Sequence, residues 1–355
     1  MKQMLDLYSD YLLVSFSQTS ATGLSNLMKG EISHDQVTRF LSREKKTAKD
    51  LWLIAKPFQR KINTSDGVLI IDDSIEEKPY TDENDIICWH YDHSKDRNVK
   101  GINFVTSLYH NQDISLPIGF RIVAKTEEYL DKKTQKIKRR SPVTKNELAR
   151  EMILQAVKNQ VLFRFVLFDV WFASAENLMF IKHNCEKQVI CPIKSNRKAA
   201  VSLEDKLRGH WQAVSTLEIK PNTELEIFLE GVDFPLTLVK QVFTNEDGSI
   251  SILYLISSDR TLNFDQLTTI YQRRWEVECY HKSLKQNVSL AKSPTQTETT
   301  QTNHFFAALC GYIKLEMLKV ETKTNHFALK TKLYVNALQS AFSTLQKMNP
   351  VHLSA

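Results

Sequence analysis

The sequence predicts a mixed α/β fold: a sheet-bearing core interrupted by a β-rich insertion, with helical N- and C-terminal regions. Three observations predict it. Two short apolar runs, Val68-Leu-Ile-Ile and Phe163-Arg-Phe-Val-Leu-Phe, each end in aspartate and lie on either side of a stretch of helical period. Between residues 194 and 257 strand signals crowd together without a helical break. Before residue 60 and after residue 264 the apolar spacing is helical.

Residues 1–60 carry short apolar periods around Leu5, Leu7, Tyr11 and Leu12, and again around Leu24, Leu27 and Met28. Ser33 is placed to cap a helix over residues 34–41, because its hydroxyl can accept an otherwise unpaired backbone N–H. Arg43, Lys45, Lys46 and Lys49 follow, so a small basic helical module able to touch DNA is expected here. Strands are expected at 68–73, 101–109 and 116–123 from their β-branched and aromatic content. Leu148, Met152, Ile153 and Ala156 give 145–160 a helical period, and 163–169 is a further strand. Residues 173–183 read as helix and 188–193 as strand. In the β-rich stretch, strands are expected at 211–219, 224–228, 236–243 and 250–256, with Asn245-Glu-Asp-Gly248 as a hairpin turn. Helix returns at Phe264, and a Thr-rich loop at 293–302 separates it from helices at 303–319 and 327–348. The alternation of strands and helices through 68–193 is that of a mixed α/β core.

Composition narrows the function. With 42% hydrophobic and 25% charged residues, the chain has the makeup of a globular protein, and its net charge of +6 suits a polyanionic partner without requiring one. Cys88, Cys185, Cys191, Cys279 and Cys310 are scattered with no C-x-x-C pair, which argues against a disulfide framework or a structural zinc site. The start of the chain has no apolar core of signal-peptide length, and no window approaches the roughly 18 apolar residues of a membrane span. A cytoplasmic location without membrane contact is expected. A Gly-rich phosphate loop and a G-x-S-x-G nucleophile turn are both missing from the sequence. His90-x-x-His93 has loose ligand-like spacing, but ordinary packed or exposed histidines are the simpler expectation.

The acids are more informative. Asp72-Asp73 and Asp169 end two strands, and carboxylates at that end of an α/β sheet face a crevice. Glu278 adds a third from a helix. Carboxylates from three separate elements make an all-oxygen site suited to Mg²⁺ or Mn²⁺, and a pair of such ions can drive displacement at a phosphodiester. On the helix Tyr271–Lys285, helical spacing puts Tyr271, Arg274, Glu278 and Lys285 within a stripe of roughly 60°. A glycosidase could use two acids but has little use for that cationic stripe. Basic runs at Lys132, Lys133, Lys136, Lys138, Arg139 and Arg140, read as a loop, and at Lys194, Arg197, Lys198, Lys206 and Arg208 suit contact with a phosphate backbone.

The spacing Tyr271-x2-Arg274-x3-Glu278-x6-Lys285 resembles the Y-R-E-K signature of DDE transposases of bacterial insertion sequences, of the insertion-sequence-four type. Ile71-Asp-Asp-Ser74 with Lys78 resembles the family's first acidic strand, and Val166-Leu-Phe-Asp-Val-Trp-Phe172 its second. The β-rich stretch falls where that group carries its insertion. The resemblance covers about residues 60–320 and implies an RNase H-like core. It implies Asp73, Asp169 and Glu278 as the catalytic, metal-binding triad, with Asp73 preferred to Asp72 because it precedes Ser74. It implies two Mg²⁺ ions, with Mn²⁺ able to substitute. Tyr271, Arg274, Lys285, Lys282, Lys78, Arg139, Arg140, Lys194, Arg197 and Lys198 would contact DNA. Trp171 and Trp275 are expected to pack in the core.

The implied organisation is a helical DNA-binding region at 1–60, an RNase H-like core at 61–193 and 258–320, a β-strand insertion at 194–257, and a C-terminal helical region at 321–355. The implied activity is metal-dependent 3′-end cleavage of an element with terminal inverted repeats, then strand transfer into target DNA by a homodimer or larger assembly in the bacterial cytosol on the nucleoid. Two other readings share the fold: a different RNase H-like nuclease, and a catalytically silent domesticated DNA-binding protein.

Overall fold

The computed structural model describes residues 2–93, 95–132 and 134–348. Lys133 of the basic run and residues 349–355 of the expected C-terminal region lie outside the described residues. The helices α1 (Lys2–Val14), α2 (Ala21–Leu27), α3 (His34–Ser42) and α4 (Ala48–Gln59) come first. They are followed by β1 (Val68–Glu77), β2 (Ile87–Asp92), β3 (Arg97–Asn111), β4 (Ile114–Ile122), β5 (Glu127–Asp131), β6 (Lys136–Arg140) and α5 (Lys145–Lys158). Next are β7 (Phe165–Leu167), α6 (Ala175–Met179), β8 (Gln188–Ile193), β9 (Lys198–Ala200), α7 (Leu203–Arg208) and β10 (Gln212–Ala213). The chain continues with β11 (Glu224–Leu229), β12 (Leu236–Thr244) and β13 (Ile250–Ser257), then α8 (Phe264–Gln272), α9 (Glu276–Asn287), α10 (Glu298–Thr322) and α11 (His326–Met348). Among the described residues, no helix is long and apolar enough to cross a membrane.

These elements form two compact units. The first, drawn from 48–79 and 85–279, holds the sheet. Its strand order is β10-β9-β11-β12-β13-β8-β7-β1-β3-β2, with β4 also paired to β3. The strands β1, β7 and β8 run parallel to one another, and the remaining pairings are antiparallel. β1 lies in the interior of the sheet, hydrogen-bonded to β7 on one edge and β3 on the other, and both of its faces are covered at its start. Val68, Leu69, Ile70 and Ile71 are accordingly all but inaccessible, which explains why this strand reads as a continuous apolar run rather than an alternation. The helices α4 and α5 pack on the β3–β4 side of the sheet. The fold is thus the mixed α/β architecture of an RNase H-like domain, and β13 pairs directly with β8. The β-rich stretch therefore extends the core sheet edge to edge.

Three local readings change. The basic run after residue 132 is a hairpin, β5–β6, in which Glu127 faces Arg140 and Glu128 faces Arg139 across the strands. Opposite charges at facing positions stabilise a strand pair, and that pairing, unseen in a count of lysines and arginines, turns a solvated run into structure. Residues 211–219 are mostly not strand: only Gln212–Ala213 pairs, and Val214–Thr216 is a 3₁₀ turn. The Thr-rich segment is shorter than its composition suggests, because the Thr297 hydroxyl accepts the N–H of Thr300 and starts α10 at Glu298.

The second unit is helical and is drawn from residues up to 47, 80–84 and 280 onward. At its centre α10 is buried on every side from residue 301 to 313, as expected of a helix enclosed by others. Its polar side chains are satisfied within the unit. The two ring nitrogens of His304 meet the Tyr8 hydroxyl at 3.0 Å and the Leu290 carbonyl at 3.1 Å, and Asn303 Nδ2 donates to the Leu41 carbonyl at 2.8 Å. Ser33 caps α3 in a reciprocal box with Gln36. Lys45, one of the basic residues after α3, pairs with Glu298.

Because Ile70 is fully enclosed between β3 and β7, Ile70→Ala is expected to cost about 2–5 kcal/mol of stability. A urea denaturation curve measures this; an unchanged midpoint would mean that the sheet centre is loosely packed.

Candidate active site

The site is built on the parallel pairing of β1 with β7. Leu69 pairs with Val166 and Ile70 with Leu167. Continued two residues along the strands, that register sets Asp72 beside Asp169. Successive strand residues point to opposite faces, so Asp72 and Asp73 take different surroundings.

Asp72 is almost wholly buried. Arg274 Nη1 lies 3.8 Å from Asp72 Oδ2, and Arg274 Nη2 lies 3.4 Å from Glu278 Oε1. A carboxylate oxygen of Asp72 and one of Glu278 come within 4.8 Å of each other. Asp73 is held differently: Lys145 Nζ pairs with Oδ2 at 2.8 Å, and Asn103 Nδ2 donates to the same oxygen at 3.1 Å. Asp169 accepts the backbone N–H of Trp171 at 2.9 Å and caps the 3₁₀ turn Val170–Phe172. That hydrogen bond fixes the carboxylate at the end of β7.

The electrostatics reflect crowding. Burial pushes the pKa of Asp72 well above the ordinary carboxylate value; Asp169, Asp73 and Glu278 raise it further, and Arg274 opposes them. Burial also raises Asp169, with Asp73 adding to the shift, while the Trp171 N–H and Arg274 pull it down. Burial works against the charge of Arg274, but Tyr271, Asp72, Glu278 and Asp169 outweigh it and the guanidinium is held charged. The Tyr271 phenol is raised by burial and is hydrogen-bonded to Arg274. Carboxyl groups such as Asp72 and Asp169, whose charge is disfavoured by burial and by neighbouring acids, suit a hard divalent cation, which would offset that cost.

The expected single helix across Tyr271–Lys285 is two, α8 and α9, joined by a 3₁₀ turn at Arg273–Trp275. Tyr271 ends α8 and Arg274 lies in the turn that follows it. Tyr271, Arg274 and Glu278 lie in the sheet unit, whereas Lys282 and Lys285 of α9 fall in the helical unit. There the Lys282 ammonium lies 5.1 Å from the Phe327 ring.

The other candidate DNA contacts divide. Lys194 and Lys198 are exposed. Lys78 is buried, and burial lowers its pKa against the pull of Glu76. Arg139 pairs with Asp85 at 3.3 Å and Glu128 at 3.6 Å, and Arg140 with Glu127 at 3.0 Å. Arg197 donates from Nη1 to the Ala173 carbonyl at 2.9 Å, tying the segment after β8 to the turn that carries Asp169.

The two tryptophans expected in the core are at the surface: Trp171 is 45% and Trp275 66% exposed. Both fall on 3₁₀ turns, where the helical and strand periods that place apolar residues inward do not apply. The roles of Lys145 and Asn103 have no sequence signal, because nothing local ties an N-terminal helix lysine or a mid-strand asparagine to Asp73. Burial, aided by Lys125 and Lys145, depresses the pKa of His90 to about 3, so it is a neutral packed side chain, and His93 is exposed.

A family model described as DDE superfamily endonuclease matches residues 1–210, a span that includes Asp72, Asp73 and Asp169. A second, described as transposase DDE domain, matches residues 134–313, including Asp169, Arg274 and Glu278. No curated protein matches the chain significantly.

Asp72→Asn is expected to stabilise the protein at neutral pH in the absence of divalent ions. A carboxyl whose folded-state pKa is raised binds its proton more tightly in the folded than in the unfolded chain. Its penalty therefore appears as pH climbs above the ordinary value of 3.8 and is complete above the raised one. Thermal melts of both proteins at pH 3.5 and pH 7.5 should show the advantage only at the higher pH.

Proposed function

The chain belongs to the DDE superfamily of transposases and endonucleases, and from that premise we propose that it is a metal-dependent DNA transposase of the insertion-sequence-four type. It cleaves the 3′ ends of an element bounded by inverted repeats and joins them to target DNA. The observation that carries this reading is the convergence of Asp72 and Glu278 on one guanidinium, Arg274, with Asp169 beside Asp72 at the end of the neighbouring parallel strand. Asp72, rather than Asp73, joins Asp169 and Glu278 in the triad, because Asp73 is engaged by Lys145 and Asn103.

The donor set fits two Mg²⁺ ions, with Mn²⁺ as substitute, held by Asp72, Asp169 and Glu278. Bound there, such ions supply an activated water or 3′-hydroxyl and stabilise the leaving oxygen at phosphorus. Arg274 sets the spacing of Asp72 and Glu278, and its charge favours the approach of a phosphate. The Trp171 N–H holds the Asp169 carboxyl in place at the end of β7. Lys194, Lys198, Lys282 and Lys285 supply phosphate-backbone contacts along the DNA, which make affinity fall with salt.

Paired element ends require two copies of the chain, and α11 offers a seam. Thr331, Val335, Leu338, Phe342 and Leu345 recur at spacings of four and three residues, and the last four side chains are exposed. That is the pattern of a helix that packs against another helix of its kind.

Two measurements test the reading. Incubated with Mg²⁺ and a plasmid bearing the DNA that flanks its gene, the protein should nick discretely at the repeat ends. Asp72→Asn, Asp169→Asn and Glu278→Gln should each lower the rate by on the order of 10³-fold, and Asp73→Asn by much less. Equal losses at positions 72 and 73 would remove the distinction between them. In light scattering, Leu338→Lys with Phe342→Lys should shift the protein to monomer; a parent protein that is already monomeric with its end DNA would rule out α11 as the seam.

A further inference from the structure

Among the described residues, β5 and β6 pair only with each other, and every residue from Glu127 to Leu130 and from Lys136 to Lys138 is exposed. A two-stranded sheet with both faces in water is marginal by itself, and here one face stiffens it. On that face Arg140 pairs with Glu127 at 3.0 Å, its guanidinium lies 5.7 Å from the centre of the Tyr129 ring, and Lys138 pairs with Asp131. Asp131 also closes the turn, accepting the Thr134 N–H at 2.9 Å through its carboxylate and the Gln135 N–H at 2.8 Å through its carbonyl. At the root Arg139 reaches Asp85 at 3.3 Å. Two five-residue strands held in this way make a stiff arm roughly 17 Å long.

The opposite face carries Leu130 facing Ile137 across the strands, and these side chains are 57% and 71% exposed. The other strand residues on that face, Glu128 and Arg139, pair with each other behind them at 3.6 Å. Lys132 and Lys136 stand exposed at the tip. An aliphatic pair flanked by ammonium groups at the end of a stiff ribbon has the chemistry of a DNA wedge. Aliphatic side chains part a base step from the minor groove and kink the duplex, while lysines beside them take the phosphates. Leu130 and Ile137 offer no donor or acceptor to a base edge, so such an arm senses deformability rather than sequence. A second copy of the chain fits this face less well, because a two-fold contact would set the tip lysines against their own kind.

We propose that the β5–β6 hairpin is a wedge arm for duplex DNA: Leu130 and Ile137 enter the minor groove and open a base step, and Lys132 and Lys136 hold phosphates on either side of it. The inference rests on the transposase reading in that it takes DNA as the partner. The arm bends the duplex that it enters, and it favours pyrimidine–purine steps because they open most easily. The ion pairs along the rest of the hairpin serve this role, since a ribbon that flexed would yield before the base stack did.

The test measures bending and binding together, without divalent ions so that no strand is cut. A short duplex with a central TA step carries donor and acceptor dyes at its ends, and the parent protein should raise energy transfer between them. Leu130→Thr with Ile137→Thr keeps β-branched side chains suited to a strand but removes the aliphatic wedge. That variant should lose the rise in energy transfer and bind on the order of tenfold more weakly. The loss should shrink on a duplex with a single-nucleotide gap at its centre, where the stack is already broken. Lys132→Gln with Lys136→Gln should lower the slope of log affinity against log salt by about two. Unchanged bending and affinity in the Thr variant would overturn the wedge, and so would a weaker affinity with unchanged bending. A shift of the Thr variant from dimer to monomer in light scattering without DNA would give this face to a second copy and overturn it likewise. Nicking at the repeat ends in Mg²⁺ would leave the transposase reading intact in each of these cases, whereas a parent that neither binds a duplex nor nicks would overturn both. Circular dichroism melts of the variants check folding.

Discussion

Arg274 stands between Asp72 and Glu278, and the arrangement of the site depends on that guanidinium. The parallel pairing of β1 with β7 sets two aspartates side by side at strand ends, and α9 adds a glutamate. Burial, and to a lesser degree repulsion from the neighbouring carboxylates, makes Asp72 and Asp169 both resist ionisation. Arg274 offsets part of that repulsion and is itself kept charged by it. The neighbouring features serve the same balance. Tyr271 is hydrogen-bonded to Arg274, and the turn at Val170–Phe172 hands Asp169 a backbone N–H. A site built this way is less stable than it would be without its acids, and the strain is relieved by bringing positive charge to them.

The alternation of β1 gives its two adjacent aspartates separate lives. Asp72 joins the acids and Arg274, while Asp73 anchors Lys145 at the start of α5 and accepts from Asn103 on β3. Lys145 in turn leans over Trp171. Asp72 thus faces Arg274 and Glu278, while Asp73, whose charge still adds to the crowding at Asp72 and Asp169, is tied to Lys145 and Asn103. The split follows from the pleat of a single strand, since a side chain cannot change faces without shifting the register of the whole sheet.

Charge is distributed less simply than the net value of +6 suggests. The densest basic run is folded into a hairpin that meets its own acids across the strands. Lys78 is withdrawn into the unit and Arg197 ties down a turn. The cations left to meet a polyanion are fewer and more specifically placed, with Lys194 just after β8 on the same cleft as Lys145 and Trp171, and Lys198 beyond it.

Much of this was legible in the residues. The apolar run of β1, the helical period of α5 and the clustered strand signals after residue 194 report local geometry, because side-chain periodicity follows directly from backbone conformation. The acids at strand ends and the spacing of Tyr271, Arg274 and Glu278 marked the site for the same reason. Tertiary structure alone decided which of Asp72 and Asp73 turns toward Glu278, that the β-rich stretch continues the core sheet through β13, that Trp171 faces outward, and that Lys145 reaches Asp73 from 72 residues away in the chain. Periodicity fixes which residues share a face within one element. Which face meets which neighbour depends on strand register and on contacts between distant segments, and those are set only when the whole chain packs.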